Sequence, residues 1–185
     1  MIKAIATSVA QYVTVKTFAA ALRGLVVEEL VPTLEGEGRA LSETEPFPFS
    51  RPTFEASKTT FNLVGADNEF ERDFARFLED ATDVRAFAKL PQRFGFAIEY
   101  TDSATSLRYY EPDFVAVGYD GNHHLIETKG REDIDVAFKD RAARTWCEYA
   151  TLLTSTSWSY VKVPQIEFGQ LQASELADVV LAFAV

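Results

Sequence analysis

Asp113, Glu127 and Lys129 are the residues whose types and spacing could do chemistry. Glu127 and Lys129 lie two apart in Leu125-Ile126-Glu127-Thr128-Lys129, an apolar and β-branched run that reads as a strand, so their side chains share a face. Asp113 opens a second such run, Phe114-Val115-Ala116-Val117, and Asp120-Gly121 is a turn signal between the two. Two carboxylates can hold a hard divalent cation. Such an ion polarises a phosphodiester and acidifies a bound water, and a neighbouring lysine can position that water or offset charge on the phosphate. The competing reading is a surface hairpin with solvated charges. Leu125 and Ile126 weaken it, because a carboxylate inside a buried strand needs partners.

The turn decides whether the two carboxylates can meet. A two-residue turn at Asp120-Gly121 pairs Asp113 with Thr128 and puts Asp113 and Glu127 on opposite faces. A three-residue loop, Tyr119-Asp120-Gly121 with Gly121 left-handed, pairs Gly118 with Asn122 and Asp113 with Glu127. The sequence therefore predicts the longer loop, or a bulge elsewhere in the hairpin.

The 185 residues fit one domain with a sizeable core, and 15 Phe, 7 Tyr and 2 Trp supply much of its area. Mean hydropathy of -0.07 is that of a soluble globular chain. One cysteine, Cys147, excludes an intrachain disulfide and fits a reducing, cytoplasmic setting. Two histidines and one cysteine leave no zinc site, and His123-His124 read as surface strand residues. The net charge of -10 argues against a chain that holds nucleic acid by long-range attraction. It does not exclude a nuclease, because a bound metal inverts the local potential. No segment is apolar for long enough to span a bilayer, and no signal-peptide layout is present.

Several elements must position these residues. Residues 1 to about 34 look helical, with Val9, Val13, Leu22, Val26 and Leu30 as a rough stripe, and residues 35–52 form a connector whose Phe47 and Phe49 anchor it to the core. Asn68 to about Ala81 reads as an amphipathic helix, capped by Asp67 or Asn68, with Phe70, Phe74, Phe77 and Leu78 buried. Glu71 lies at the edge of that face, where a carboxylate could reach a neighbouring sheet, although a lone helical glutamate is ordinarily solvated; Glu69 is the weaker candidate. Strands are expected at 84–90, 94–100, 108–118, 123–129 and 158–163. A helix is expected from about Asp133 to Leu153, capped by Asp133 or Asp135, and a final helix or strand over 176–183. Lys139, Arg141 and Arg144 sit near the start of the longer helix, among acidic residues. The order gives a mixed α/β fold, a central mixed sheet with flanking helices.

More than a short motif then matches. Asn68-Glu69-Phe70-Glu71-Arg72-Asp73-Phe74, Tyr109-Tyr110-Glu111-Pro112-Asp113-Phe114, Leu125 to Asp133 and Lys139 to Cys147 together resemble the C-terminal PD-(D/E)xK nuclease domain of type III restriction enzyme Res subunits and related helicase-nucleases. Phe47 to Arg51 and Tyr160 to Gln165 add weaker likeness. The resemblance implies a restriction-endonuclease-like core and Mg²⁺-dependent cleavage of double-stranded DNA, with Mn²⁺ as a substitute. It implies Asp113, Glu127, Lys129 and Glu71 as catalytic positions, with Asp113, Glu127, Glu71 and the Thr128 carbonyl as metal ligands. Arg131, Lys139 and Arg141 are the expected DNA contacts. It also implies a helicase motor and a methyltransferase or specificity subunit as partners, in a cytoplasmic defence system.

The sequence departs from the full subunits in having no Gly-x-x-x-x-Gly-Lys-Ser/Thr phosphate loop. It reads as an excised domain or a stand-alone relative. Residues 1–46 are then an apolar helix and connector facing a motor or a second copy, and 47–185 are the nuclease domain. The alternative is a catalytically silent docking domain of the same fold, whose acidic surface binds a partner protein. Cleavage of RNA rather than DNA is a third reading.

Overall fold

The computed structural model describes residues 8–26, 32–34, 36, 38–103, 106–130 and 136–184. The chain divides into two compact units, 1–33 and 34–185. In the first, a single helix is described, α1 (Ser8–Val26). Val9, Tyr12, Val13, Val15 and Phe18 point to several sides of it, so the expected single stripe gives way to a helix that is apolar nearly all round. Leu30 lies outside the described residues.

The second unit holds a four-stranded sheet in the order β3 (Val84–Lys89), β6 (Phe114–Gly118), β7 (His123–Lys129) and β8 (Trp158–Pro164). The first two pairings are antiparallel and the last is parallel, so the sheet is mixed. A parallel neighbour requires a crossover, and α3 (Val136–Thr154) supplies it. Alternation along the strands buries both faces. Phe114, Ala116, Ile126, Val161 and Val163 pack on α2 (Glu69–Asp80) and α5 (Leu176–Phe183). Leu125 and Tyr160 pack on Ala143 and Cys147 of α3 and on a second hairpin, β4 (Ile98–Thr101) with β5 (Leu107–Tyr110). Helix α4 (Gln165–Leu171) follows β8 directly.

Asn68 caps α2 by accepting from the Glu71 backbone N–H at 2.9 Å. Asp83 caps α5 from across the chain, accepting from Leu176 N and Ala177 N at 2.8 Å each. The closing segment 176–183 is thereby fixed as a helix rather than a strand. The expected caps Asp133 and Asp135 lie outside the described residues.

Four expectations change. The strand expected over 108–118 is two strands in two sheets, broken at Glu111-Pro112-Asp113, because Pro112 has no N–H to give a ladder. The strand expected over 94–100 begins only at Ile98, since Gln92–Phe94 form a 3-10 turn closed by left-handed Gly95. Phe47 and Phe49 stay over a third exposed, and the Phe49 ring lies against Gly65 of the small β1 (Thr53–Phe54)/β2 (Val64–Gly65) ribbon rather than in the core. His124 is buried, not superficial, and its Nδ1 is 2.8 Å from Ser159 Oγ.

The β6–β7 turn is the three-residue loop. Phe114 pairs with Ile126 and Val117 with His123, Gly118 N donates to Asn122 O, and Gly121 has φ +85. A side chain at that φ is strained. Gly121→Ala should therefore cost about 1 kcal/mol of stability in urea unfolding, while the same change at exposed, helical Gly169 should cost nothing comparable.

Candidate active site

The β6–β7 ladder ends at Phe114 opposite Ile126, and Asp113 lies one residue before it, just outside the ladder. The chain bends at Asp113, and its carboxylate turns back onto the end of β7. Asp113 Oδ2 accepts from the Thr128 backbone N–H at 2.8 Å and from Thr128 Oγ1 at 2.6 Å. The Asp113 carbonyl accepts from Leu90 N at 2.8 Å, so the residue is also tied to the end of β3. Oδ1 accepts from Lys89 Nζ at 2.7 Å.

Lys89 is a residue that the sequence reading did not single out. Its side chain is 10% exposed, and its ammonium bridges Asp113 and, at 3.1 Å, Glu71 Oε2. Burial alone would lower its pKa. The charges and hydrogen bonds of Asp113 and then Glu71 outweigh that and raise it, so it stays an ammonium. Its signal in the sequence is a charge closing the apolar run Ala86-Phe87-Ala88.

Glu71 is buried, not solvated. Besides Lys89 it accepts from Asp67 N and Asn68 Nδ2, both at 2.8 Å. This resembles a capping box: Asn68 takes the Glu71 N–H, and Glu71 reaches back over the helix start. Glu71 thus meets Asp113 through Lys89. Glu69 stays exposed beside Arg72.

Glu127 has a different environment. Its Oε2 accepts from Tyr110 OH at 3.0 Å. Burial first, and then the charge of Asp113, push its pKa from 4.5 up to about 7, against the hydrogen bond from Tyr110 and the charges of Lys129 and Lys89. Beyond it, Lys162 pairs with Glu127 in the parallel register of β7 and β8. Buried Asp140 takes Tyr160 OH at 2.9 Å and faces Lys162 Nζ at 3.2 Å. Lys162 could have been found from sequence, since it is a charge set between Val161 and Val163 in a buried strand. Asp140 could not, because on α3 it looked like one more solvated charge.

Lys129 closes β7, and its charge is one of those that pull the Glu127 pKa down. Lys139 is half-buried and Arg141 exposed on α3, while Arg131 lies outside the described residues. A groove of about 1020 Å³ reaches the site at Lys89 and is bordered by Phe47, Phe49, Arg51 and Arg93. Arg51 is held there by Asp67.

The donor chemistry fits a hard divalent ion. Asp113 and Glu127 offer oxygen ligands, and a cation would relieve both the burial and the Asp113 charge that raise the Glu127 pKa. Among the described residues no three His, Cys, Asp or Glu side chains form a ready cage. Two carboxylates are nonetheless a number from which Mg²⁺ is often held along with water and phosphate.

The Glu127 pKa sets a pH dependence. The folded pKa of about 7 exceeds 4.5, so this group's contribution to stability is fully present below 4.5 and lost as pH rises through about 7. Without metal, the wild type should lose about 2 kcal/mol between about pH 5 and about pH 8 from this group. Glu127→Gln should lack that component when urea midpoints are compared at the two pH values. Equal pH slopes in the two proteins would contradict the assignment.

A family model described as an endonuclease domain matches residues 57–170, a span that includes Glu71, Lys89, Asp113, Glu127, Lys129 and Lys162. No curated protein and no solved structure matches the chain. Among the described residues no helix is long and apolar enough to cross a membrane. The matched span covers well over half of the sequence and the whole central sheet, and the chain therefore belongs to this endonuclease-domain family, with a restriction-endonuclease-like fold.

Proposed function

We propose that this chain is a Mg²⁺-dependent endonuclease domain that hydrolyses phosphodiester bonds of double-stranded DNA, as the cleavage module of a type III restriction system. The observation that carries the reading is the three-residue turn, whose register brings Asp113, one residue before the paired Phe114, onto Thr128 at the end of β7, between Glu127 and Lys129 in sequence. A solvated surface hairpin would have no need of that register or of carboxylates this buried.

In this reading Asp113, Glu127 and the Thr128 carbonyl hold the cation, and Glu71 contributes at one remove through Lys89. A divalent ion held there supplies polarisation of the phosphodiester and acidification of a bound water. The chain's own residues do the rest. Thr128 fixes the Asp113 carboxylate with two hydrogen bonds. Tyr110 orients Glu127, which must give up its proton to serve as a ligand. The Lys129 ammonium meets the attacking water or the charge that grows on the phosphate.

Arg131, Lys139 and Arg141 are the proposed DNA contacts. A net charge of -10 suits a domain whose grip on DNA comes mainly from a joined helicase motor, with a methyltransferase or specificity subunit choosing the site. Residues 1–46 are the proposed interface to that motor or to a second copy.

Substitution separates the roles. Asp113→Ala and Glu127→Ala should each abolish Mn²⁺ binding in calorimetry and cleavage of plasmid DNA together. Glu71→Ala should weaken metal binding less. Lys129→Ala should keep metal binding intact or slightly tighter while cleavage falls by about 10²-fold or more. The assay uses the domain alone and the domain joined to a motor partner, with Mg²⁺ or Mn²⁺. Equal cutting by Lys129→Ala and the wild type would defeat the mechanism. Metal binding without cleavage by any form would favour a silent docking domain.

A further inference from the structure

The Asp113 carboxylate is nearly fully used before any metal arrives. Thr128 gives Oδ2 two hydrogen bonds, and the Lys89 ammonium sits on Oδ1 at 2.7 Å. A carboxylate offers about four lone-pair directions, so three are taken, and the remaining one on Oδ1 lies beside an ammonium. A divalent ion and an ammonium on one oxygen repel each other strongly at this depth.

Lys89 is also anchored on its other side. Glu71 holds it at 3.1 Å, and Glu71 is itself fixed by Asp67 N and Asn68 Nδ2 at the start of α2. The Phe114 ring lies 5.3 Å from the ammonium. Glu71 and Phe114 would therefore retain the lysine after its bond to Asp113 is broken. The large groove touches the site at Lys89, so a released ammonium has an open side to turn toward.

We propose that Lys89 is a resident counter-cation that competes with the divalent ion for Asp113, so that metal entry and release of Lys89 from Asp113 are one coupled event. Glu71 is then a positioning residue, retaining Lys89 rather than ligating the metal. The inference rests on the reading of Asp113 and Glu127 as metal ligands. It neutralises Asp113 in the metal-free site at the expense of metal affinity, and reciprocity requires that metal loosen the lysine as much as the lysine weakens the metal.

Two measurements test it. Calorimetric titration with Mn²⁺ should show Lys89→Met, which keeps the length and loses the charge, binding about tenfold tighter than the wild type. In the wild type, acetylation of Lys89 by an amine-reactive reagent, read by peptide mass spectrometry, should rise when Mn²⁺ is added. Binding by both proteins with equal Kd overturns the inference and leaves the metal reading standing. No binding by either protein overturns both. If Lys89→Met does not fold, the labelling decides, and Lys89 acetylation that Mn²⁺ leaves unchanged overturns the inference.

Discussion

Four carboxylates, Glu71, Asp113, Glu127 and Asp140, sit largely out of water around one end of the sheet, and each must be neutralised where it stands. Asp113 is met by the Lys89 ammonium and two hydrogen bonds from Thr128. Asp140 is met by Lys162 and Tyr160. Glu127 has Tyr110, with Lys129 and Lys89 only as neighbouring charges, and its pKa of about 7 shows the shortfall. Asp113 and Glu71 share the one Lys89 ammonium, and Glu127 is the least well neutralised of the four. That deficit, beside a second carboxylate, is the feature on which the proposed cation site rests.

The fold sets up this imbalance through its register. The G1-type turn at Gly121 fixes β6 against β7, and a slip of one residue would turn Glu127 toward the core beside α2 and send Ile126 to the opposite face. The break at Pro112 frees Asp113 from the ladder, so its side chain can cap the end of β7. The same break sends Tyr110 into the β4–β5 hairpin, from which it reaches Glu127. A continuous strand over 108–118 would have forfeited both arrangements.

Local signals were legible in the sequence, and long-range partners were not. Asp120-Gly121 with flanking apolar runs marked the hairpin, and the requirement that Asp113 and Glu127 share a face favoured the three-residue loop with its left-handed glycine over a two-residue turn. Asn68 and the phenylalanines after it were enough for α2, with its cap narrowed to Asp67 or Asn68. Lys89 was missed because nothing near it in sequence reveals that its partners lie on α2 and at the start of β6. Glu71 was placed at the edge of the buried face, yet its actual bonds run to Lys89 and to its own helix start. His124 was misread for the same reason, since its partner Ser159 arrives from β8. In each case the deciding neighbour is supplied by tertiary pairing, which periodicity does not encode.

The central claim is that Asp113 and Glu127 share one cation. A crystal of this protein grown with Mn²⁺, measured at a wavelength where manganese scatters anomalously, tests it most directly. The account predicts one strong peak within about 2.5 Å of an oxygen of each carboxylate. A peak bound by neither residue, or no peak with Lys89 still on Asp113 and Tyr110 still on Glu127, would contradict it.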